Sequence, residues 1–199
     1  MRFQIHPVNP QKRLMKQVSD VLRKDGVIIF PTDAGYSLGC LVSQKKAIQR
    51  LYNLKRHDKK YFMTLMIHDF SNLNDFAKLE NFAYRYMKSR LPGPFTFILP
   101  AEKKIQRILD VKRPEIGVRM PKTPFFETLQ EFEPTPLLSV TARLSDEEVL
   151  VDPDEIESHF GKLVDLIVDM GPIPLNPTTV ISLVQGEAQL IREGAGKVA

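Results

Sequence analysis

The chain has 199 residues, of which 43% are apolar and 26% charged, and its 28 basic against 24 acidic side chains give a formal net charge of +4. This is the composition of an ordinary globular protein, long enough to close a real core, and its mild positive charge permits a polyanionic partner without requiring one. One cysteine, Cys40, excludes an internal disulfide and a cysteine-built zinc site, and no run approaches the ~20 apolar residues of a membrane span.

The opening MRFQIHPVNPQKR has no apolar signal segment, so the cytoplasm is the expected compartment. Residues 3–5 suit a short strand. Asn9 as cap and Pro10 at the first helical position then open a helix. Its inner face is Leu14, Val18, Val21 and Leu22, and Gly26 stops it after Lys24. An apolar strand over 27–30 leads into the polar stretch FPTDAGYSLGC, expected to be a turn leaving the strand end. Cys40 within it is expected in the core. Ser43 caps a helix packing Ala47, Ile48 and Leu51. A strand over 64–67 and helices over 71–77 and 81–89 follow, then the breaker Pro92-Gly93-Pro94 and a strand over 95–99.

The second half continues the alternation. A strand over 116–120 ends at Pro121. Thr123-Pro124 repeats the cap-then-proline device and opens a helix to Leu129. A strand over 137–140 precedes a helix from Asp152-Pro153, with Ile156 and Phe160 paired four residues apart. Strands over 166–168, 179–183 and 189–191 close the chain. Strands alternating with helices predict an α/β fold of one domain over 1–199, with its core over about 10–196. The short connection before the last strand predicts a hairpin, hence a mixed sheet with parallel and antiparallel pairs, flanked by helices.

No phosphate-loop, dinucleotide, zinc-protease or nucleophile-elbow motif is present, and the four histidines have no metal-ligand spacing. What recurs instead is a polar group at strand ends: Thr32, Asp33 and Tyr36; His68; Arg119; Ser139 and Thr141; Thr178 and Thr179; Arg192. Such ends can converge on one cleft. Thr32 and Asp33 also suit a plain turn. Arg119 lies in the apolar run Ile116-Gly117-Val118-Arg119-Met120, where a buried guanidinium needs an anion, either an internal carboxylate or a ligand.

These residues resemble a known family. FPTDAGYSLGC is similar to the first signature of the YrdC/YciO family, the threonylcarbamoyl-AMP synthase-like proteins. In the same order come Tyr52-Asn53-Leu54-Lys55, Thr64-Leu65-Met66-Ile67-His68, Leu91-Pro92-Gly93-Pro94-Phe95-Thr96 and Gly117-Val118-Arg119-Met120-Pro121. Pro177-Thr178-Thr179-Val180 and Ile191-Arg192-Glu193-Gly194-Ala195 complete the set.

The resemblance implies a YrdC-like fold with a positively lined concave face. It implies condensation of L-threonine, bicarbonate and ATP into threonylcarbamoyl-AMP with release of pyrophosphate, and Mg2+ as helper. The product serves the t6A modification of tRNA, and tRNA or double-stranded RNA is the implied partner. It assigns Thr32, His68, Arg119 and Thr179 to threonine, and Lys55, Ser139, Thr141 and Arg192 to the nucleotide. Lys55, Arg56 and Ser139 serve the chemistry, and no resident metal ligand is implied. Three departures follow the YciO branch: His57 stands at an arginine position, Thr141 at an asparagine position, and Ala34-Gly35-Tyr36-Ser37 replaces Thr-Val-Tyr-Gly. They imply reduced or altered synthase activity. The alternative is an RNA-binding module that keeps a nucleotide pocket. Its basic clusters are Lys55, Arg56, Lys59 and Lys60; Arg85, Lys88 and Arg90; and Lys103, Lys104 and Arg107 with Lys112 and Arg113.

Overall fold

The structure is a computed structural model and describes residues 1–54, 63–110, 114–143 and 149–198. In chain order the first half holds β1 (Arg2–Gln4), α1 (Lys12–Arg23), β2 (Ile28–Thr32), β3 (Gly35–Leu41), α2 (Lys45–Leu54), β4 (Thr64–Met66), α3 (Asn81–Lys88) and β5 (Phe95–Pro100). The second holds α4 (Lys103–Leu109), β6 (Glu115–Arg119), α5 (Pro124–Leu129), β7 (Leu137–Thr141), α6 (Pro153–Phe160), β8 (Leu166–Asp169), β9 (Thr179–Ser182) and β10 (Gln189–Arg192). All ten strands join one sheet in the order β1-β8-β2-β3-β7-β4-β6-β5-β9-β10. It is mixed, as expected: β2 and β8, β4 and β6, and β5 and β9 pair parallel, whereas β9 and β10 form the closing antiparallel pair.

Strand alternation sorts the side chains onto two faces. One carries Ile29, Leu38, Cys40, Leu65, Phe97, Val118, Leu138 and Ile181, packed with Ala47, Ile48 and Leu51 of α2, Ala83 and Met87 of α3, Ile105 of α4, and Ile156 and Phe160 of α6. The other carries Ile28, Phe30, Leu41, Met66, Leu137 and Leu166 against Met15, Val18 and Leu22 of α1 and Phe125, Phe126 and Leu129 of α5. Each fully buried large apolar side chain contributes roughly 1.5–3 kcal/mol. Phe30 is clamped between Phe125 and Phe126, with centroid distances of 5.9 and 5.7 Å.

The caps read from proline spacing are present at two helices. Thr123 accepts from the Phe126 amide and Asp152 from the Asp154 amide, each with proline in the first turn. Other expectations need correction. α1 is preceded by Gln11 rather than Asn9, because His6 Nδ1 accepts from the Val8 and Asn9 amides and holds that segment in a turn. Asp25, at φ 57, takes the left-handed position before Gly26. The helix expected over 71–77 is only a single 3-10 turn at Leu73–Asp75. α4 was not anticipated, since Ile105 and Leu109 are its only fully buried apolar residues.

The largest correction falls on FPTDAGYSLGC. It is the end of one strand, a tight hairpin turn at Asp33-Ala34 and most of the next strand, not a loop leading away. β2 runs on to Thr32, and Pro31 is tolerated because β8 pairs only with Ile28 and Ile29, leaving one side free there. β3 then returns antiparallel, with Pro31 opposite Tyr36 and Ile28 opposite Gly39. Gly39 permits close packing: a Cβ there would sit 2.7 Å from the Leu138 carbonyl and 2.8 Å from the Phe30 ring. Cys40 is fully buried, and desolvation pushes its thiol up to about 12, so it is an inert core residue.

Candidate functional site

The hairpin turn between β2 and β3 is fixed by its own side chain. The Thr32 hydroxyl donates to the Gly35 carbonyl at 2.7 Å and accepts from the Ala34 amide at 3.1 Å. Gly35 sits at φ 116, a conformation closed to most side-chain-bearing residues. Thr32 therefore does the work of a turn residue, and it presents Asp33 at the tip.

Beyond the half covered by α1 and α5, the second face of the sheet carries small and polar residues. The register sets Gly39 opposite Ser139, Ser139 opposite Thr64, and Thr64 opposite Gly117. Ser37 pairs with Thr141 one row along. Thr141 is exposed and Thr64, Thr96 and Gly117 are half-buried. Ser139 is buried, its hydroxyl directed at the Thr64 carbonyl at 3.4 Å. Gly39 is covered by the Phe30 ring, but Gly117, half-buried between Thr64 and Thr96, lets a ligand approach the backbone closely.

Arg119 ends β6 on this same face. It is 7% exposed, and its Nη2 donates to Asp33 Oδ1 at 2.5 Å. This contact reports the shape of the sheet. Three strands separate β2 from β6 and the two run antiparallel, so in a flat sheet Asp33 and Arg119 would lie at opposite ends, about 19 Å apart across the strands. Their ion pair requires the sheet to curl, with the β2–β3 turn brought over the end of β6. The convergence of polar strand ends is thus real for these two, but curl produces it rather than a common strand direction.

The pair is incompletely satisfied. Asp33 Oδ2 and Arg119 Nε are both buried and have no hydrogen-bond partner among the described residues. Burial pulls the Arg119 pKa down, Asp33 opposes that shift, and the nearby charge of Arg192 adds to it. Arg192 Nη2 donates to the Thr178 carbonyl at 2.9 Å, and the Thr178 and Thr96 hydroxyls share a hydrogen bond of 2.7 Å. Asp33, Thr96, Thr178, Arg119 and Arg192 therefore form one polar cluster beside the small-residue face. The sequence places Asp33 among the polar strand ends, with a plain turn as the other reading, and does not single out Thr96. The available signal was its polar position in the alternation Phe95-Thr96-Phe97.

The remaining expected residues have other surroundings. Thr179 is fully buried, donating to the Gly196 carbonyl at 2.6 Å and accepting from the Gly194 amide at 3.0 Å, so it ties down the closing segment. His68 follows β4 and lines a cleft of about 200 Å³ with Ile67, Pro92, Met120, Pro121 and Phe126, which neither Arg119 nor Thr32 lines. Its ring lies 5.5 Å from Phe126, and desolvation lowers its pKa despite Asp69 and Glu133. Lys55, Arg56 and His57 lie outside the described residues. So do Lys59, Lys60, Lys112 and Arg113.

A larger cavity of about 410 Å³ lies at the opposite end of the sheet order, lined by Arg2, Asp152, Asp154 and Asp169 among others, and none of the expected site residues that the structure describes borders it. No group of three or more histidine, cysteine, aspartate or glutamate side chains among the described residues could hold a metal ion. No helix among them is long and apolar enough to cross a membrane.

The Sua5/YciO/YrdC family model, described as "Telomere recombination", matches residues 20–194. The Escherichia coli protein YciO is 41% identical over 198 residues, covering 98% of this chain and 96% of its own. The crystal structure of E. coli YciO superposes with a TM-score of 0.89, covering 99% of this chain and 97% of that one. A putative threonylcarbamoyl-AMP synthase of Methanocaldococcus jannaschii is 29% identical over 197 residues, 96% of this chain and 92% of its own. P. abyssi Sua5 complexed with L-threonine, at 22% identity, shares the fold with a TM-score of 0.88, covering 98% of this chain and 57% of that one.

Proposed function

The chain belongs to the Sua5/YciO/YrdC family, and we propose on that basis that it binds L-threonine and ATP and forms threonylcarbamoyl-AMP from them and bicarbonate, with reduced or altered turnover. The product would feed t6A modification of tRNA. The observation that carries this reading is Arg119, a buried guanidinium whose Nε has no partner among the described residues, at the edge of a face of small and hydroxyl-bearing residues. A guanidinium suits a carboxylate because it can grip it through two parallel hydrogen bonds. Named relatives supply the reaction: threonylcarbamoyl-AMP synthases are 29% identical to this chain.

In this reading the threonine carboxylate sits on Arg119, with Thr32, His68 and Thr179 shaping its surroundings. The threonine amine takes up bicarbonate or carbon dioxide as a carbamate. A carbamate oxygen attacks the α-phosphorus of ATP and pyrophosphate leaves. Lys55, Arg56 and Ser139 serve that step, and Thr141 and Arg192 help hold the nucleotide. The protein's task is to position two anionic reactants and to offset charge on the leaving group. The described residues do not fit a resident Mg2+, since they hold no suitable cluster of ligands. Mg2+ enters as the counter-ion of the ATP phosphates, and no step here depends on a protein-bound ion. His57 and Thr141 replace an arginine and an asparagine of the synthase pattern. Loss of one preorganised stabilising donor costs on the order of 100- to 1000-fold in rate, hence the slower turnover.

The test is product analysis by mass spectrometry after incubation with ATP, Mg2+, L-threonine and bicarbonate, with omission controls and Arg119→Ala. Threonine- and bicarbonate-dependent threonylcarbamoyl-AMP that vanishes in the variant supports the reading. Its absence at high protein concentration, beside an active synthase, overturns it.

A second reading, an RNA-binding module, has one observation behind it. Arg85, Lys88 and Arg90 make no ion pair with a carboxylate among the described residues, and the Arg90 guanidinium lies 3.9 Å over the Tyr86 ring. RNA affinity that falls steeply with salt and is lost on neutralising those three residues would favour it.

A further inference from the structure

The half-made pair between Asp33 and Arg119 says more about what the site accepts. Only Arg119 Nη2 and Asp33 Oδ1 are joined. Nε on one partner and Oδ2 on the other are left buried without a hydrogen bond. A buried polar atom without a partner costs about 1–3 kcal/mol, so two on one ion pair are a standing demand for an acceptor at Nε and a donor at Oδ2. The turn holding Asp33 is fixed by both bonds of the Thr32 hydroxyl and by Gly35, which sets the backbone from which the carboxylate projects. Asp33 is 15% exposed and Arg119 8% by side chain.

We propose that Asp33 receives the substrate's ammonium group, so that Arg119 and Asp33 together select a zwitterionic α-amino acid. This rests on the amino-acid reading of the site given above. An α-amino acid carries its opposite charges one carbon apart. One carboxylate oxygen takes the Arg119 Nε–H while an ammonium N–H reaches Asp33 Oδ2, and both orphan atoms are satisfied at once. A plain carboxylic acid fills only the arginine side, leaves Oδ2 bare and brings a second anion against Asp33. An amine without a carboxylate leaves Nε bare. The neighbouring charge of Arg192 and the hydroxyls of Thr96 and Thr178 supply no second acceptor of like strength for an ammonium group. Asp33 thus sets specificity by touching the substrate directly.

The experiment is calorimetric titration of the full chain with L-threonine, with 3-hydroxybutyrate, which lacks only the amino group, and with threoninol, which lacks only the carboxylate. Glycine, L-serine and L-valine complete the panel. For the wild type, threonine should bind at least about 100-fold more tightly than 3-hydroxybutyrate, as sites built to hydrogen-bond a group reject analogues lacking it. Asp33→Asn keeps the shape and removes the charge. It should lower threonine affinity by at least about 30-fold, leave 3-hydroxybutyrate unchanged or tighter, and bring the ratio to within about threefold. A ratio unchanged in Asp33→Asn overturns the proposal, and so does equal wild-type affinity for the two ligands. Circular dichroism checks the variant's fold; should it fail, the wild-type ratio alone decides. If serine or valine binds, with a loss of at least about 30-fold in Asp33→Asn, and threonine does not, the role of Asp33 stands and the threonine reading falls. If no amino acid binds the wild type, both fall.

Discussion

Arg2 at the rim of the sheet and Arg119 near its middle both face carboxylates, but they use them differently. Arg2 donates from every nitrogen: Nε and Nη2 to Asp169 at 3.0 and 2.8 Å, and Nη1 to Asp154 and Glu157 at 2.6 and 2.8 Å. Arg119 is the more deeply buried, with 8% of its side chain exposed against 21%, yet among the described residues it has one carboxylate and one bond. Were both built for stability, the deeper guanidinium would be the better satisfied, because unmet polar groups cost more away from water. On the reading proposed above, the inversion separates a tie from a site. Arg2 fastens β1 to β8 and to α6, whereas Arg119 keeps hydrogen-bonding capacity in reserve.

Stability measurements can break that comparison. The largest effect is expected for Arg119→Met, which strands the Asp33 carboxylate and should cost about 3–5 kcal/mol in urea unfolding. Adding Asp33→Asn should return at least half of that loss, since the stranded charge is then gone. A cost below about 1 kcal/mol would mean that Asp33 already reaches water and that the pair is no buried site. Arg2→Met should cost less, about 1–3 kcal/mol, because solvent at the rim screens the carboxylates it leaves behind. Threonine affinity should not change in that variant; a parallel loss would erase the distinction between the two arginines.

Tyr36 links the two regions. It is fully buried, and its hydroxyl donates to the Gly171 carbonyl at 2.7 Å and accepts from the Met170 amide at 3.1 Å, with the phenol pushed up to about 12 by burial. Tyr36→Phe should cost about 1–2 kcal/mol by thermal or urea unfolding. The smallest effect is a pH dependence. The native-state pKa of His68 lies below its ordinary 6.5, because desolvation disfavours the cation. Folding therefore favours neutral His68. Its contribution is fully present above about pH 6.5 and is lost as pH falls from there toward the native value, with a slope of at most about 1.4 kcal/mol per pH unit. His68→Asn should flatten the stability profile between pH 6.5 and 5. An unchanged profile would show that His68 ionises without penalty.

Much of this was legible in the residues. Proline after threonine or aspartate marked two helix starts, alternation marked the core strands, and the short final connection marked a hairpin. Arg119 stood out because a charge in an apolar strand must meet an anion. What stayed hidden depended on distance in space. Pro31 and Gly35 punctuate FPTDAGYSLGC as a turn, and only the one-sided pairing of β2 beyond Ile29 shows why a strand survives proline there. Asp33 reads as a turn residue because no local pattern reveals that a curled sheet carries it across three strands to Arg119. Nor does any local pattern show that the Thr179 hydroxyl is tied to Gly194 and Gly196.

The most direct test of the central claim, that Arg119 holds its capacity for a ligand carboxylate, is a crystal structure of the protein grown with L-threonine. The account predicts threonine with a carboxylate oxygen on Arg119 Nε and its amino group toward Asp33. Threonine bound elsewhere at full occupancy, with the Arg119–Asp33 pair unchanged, would contradict it.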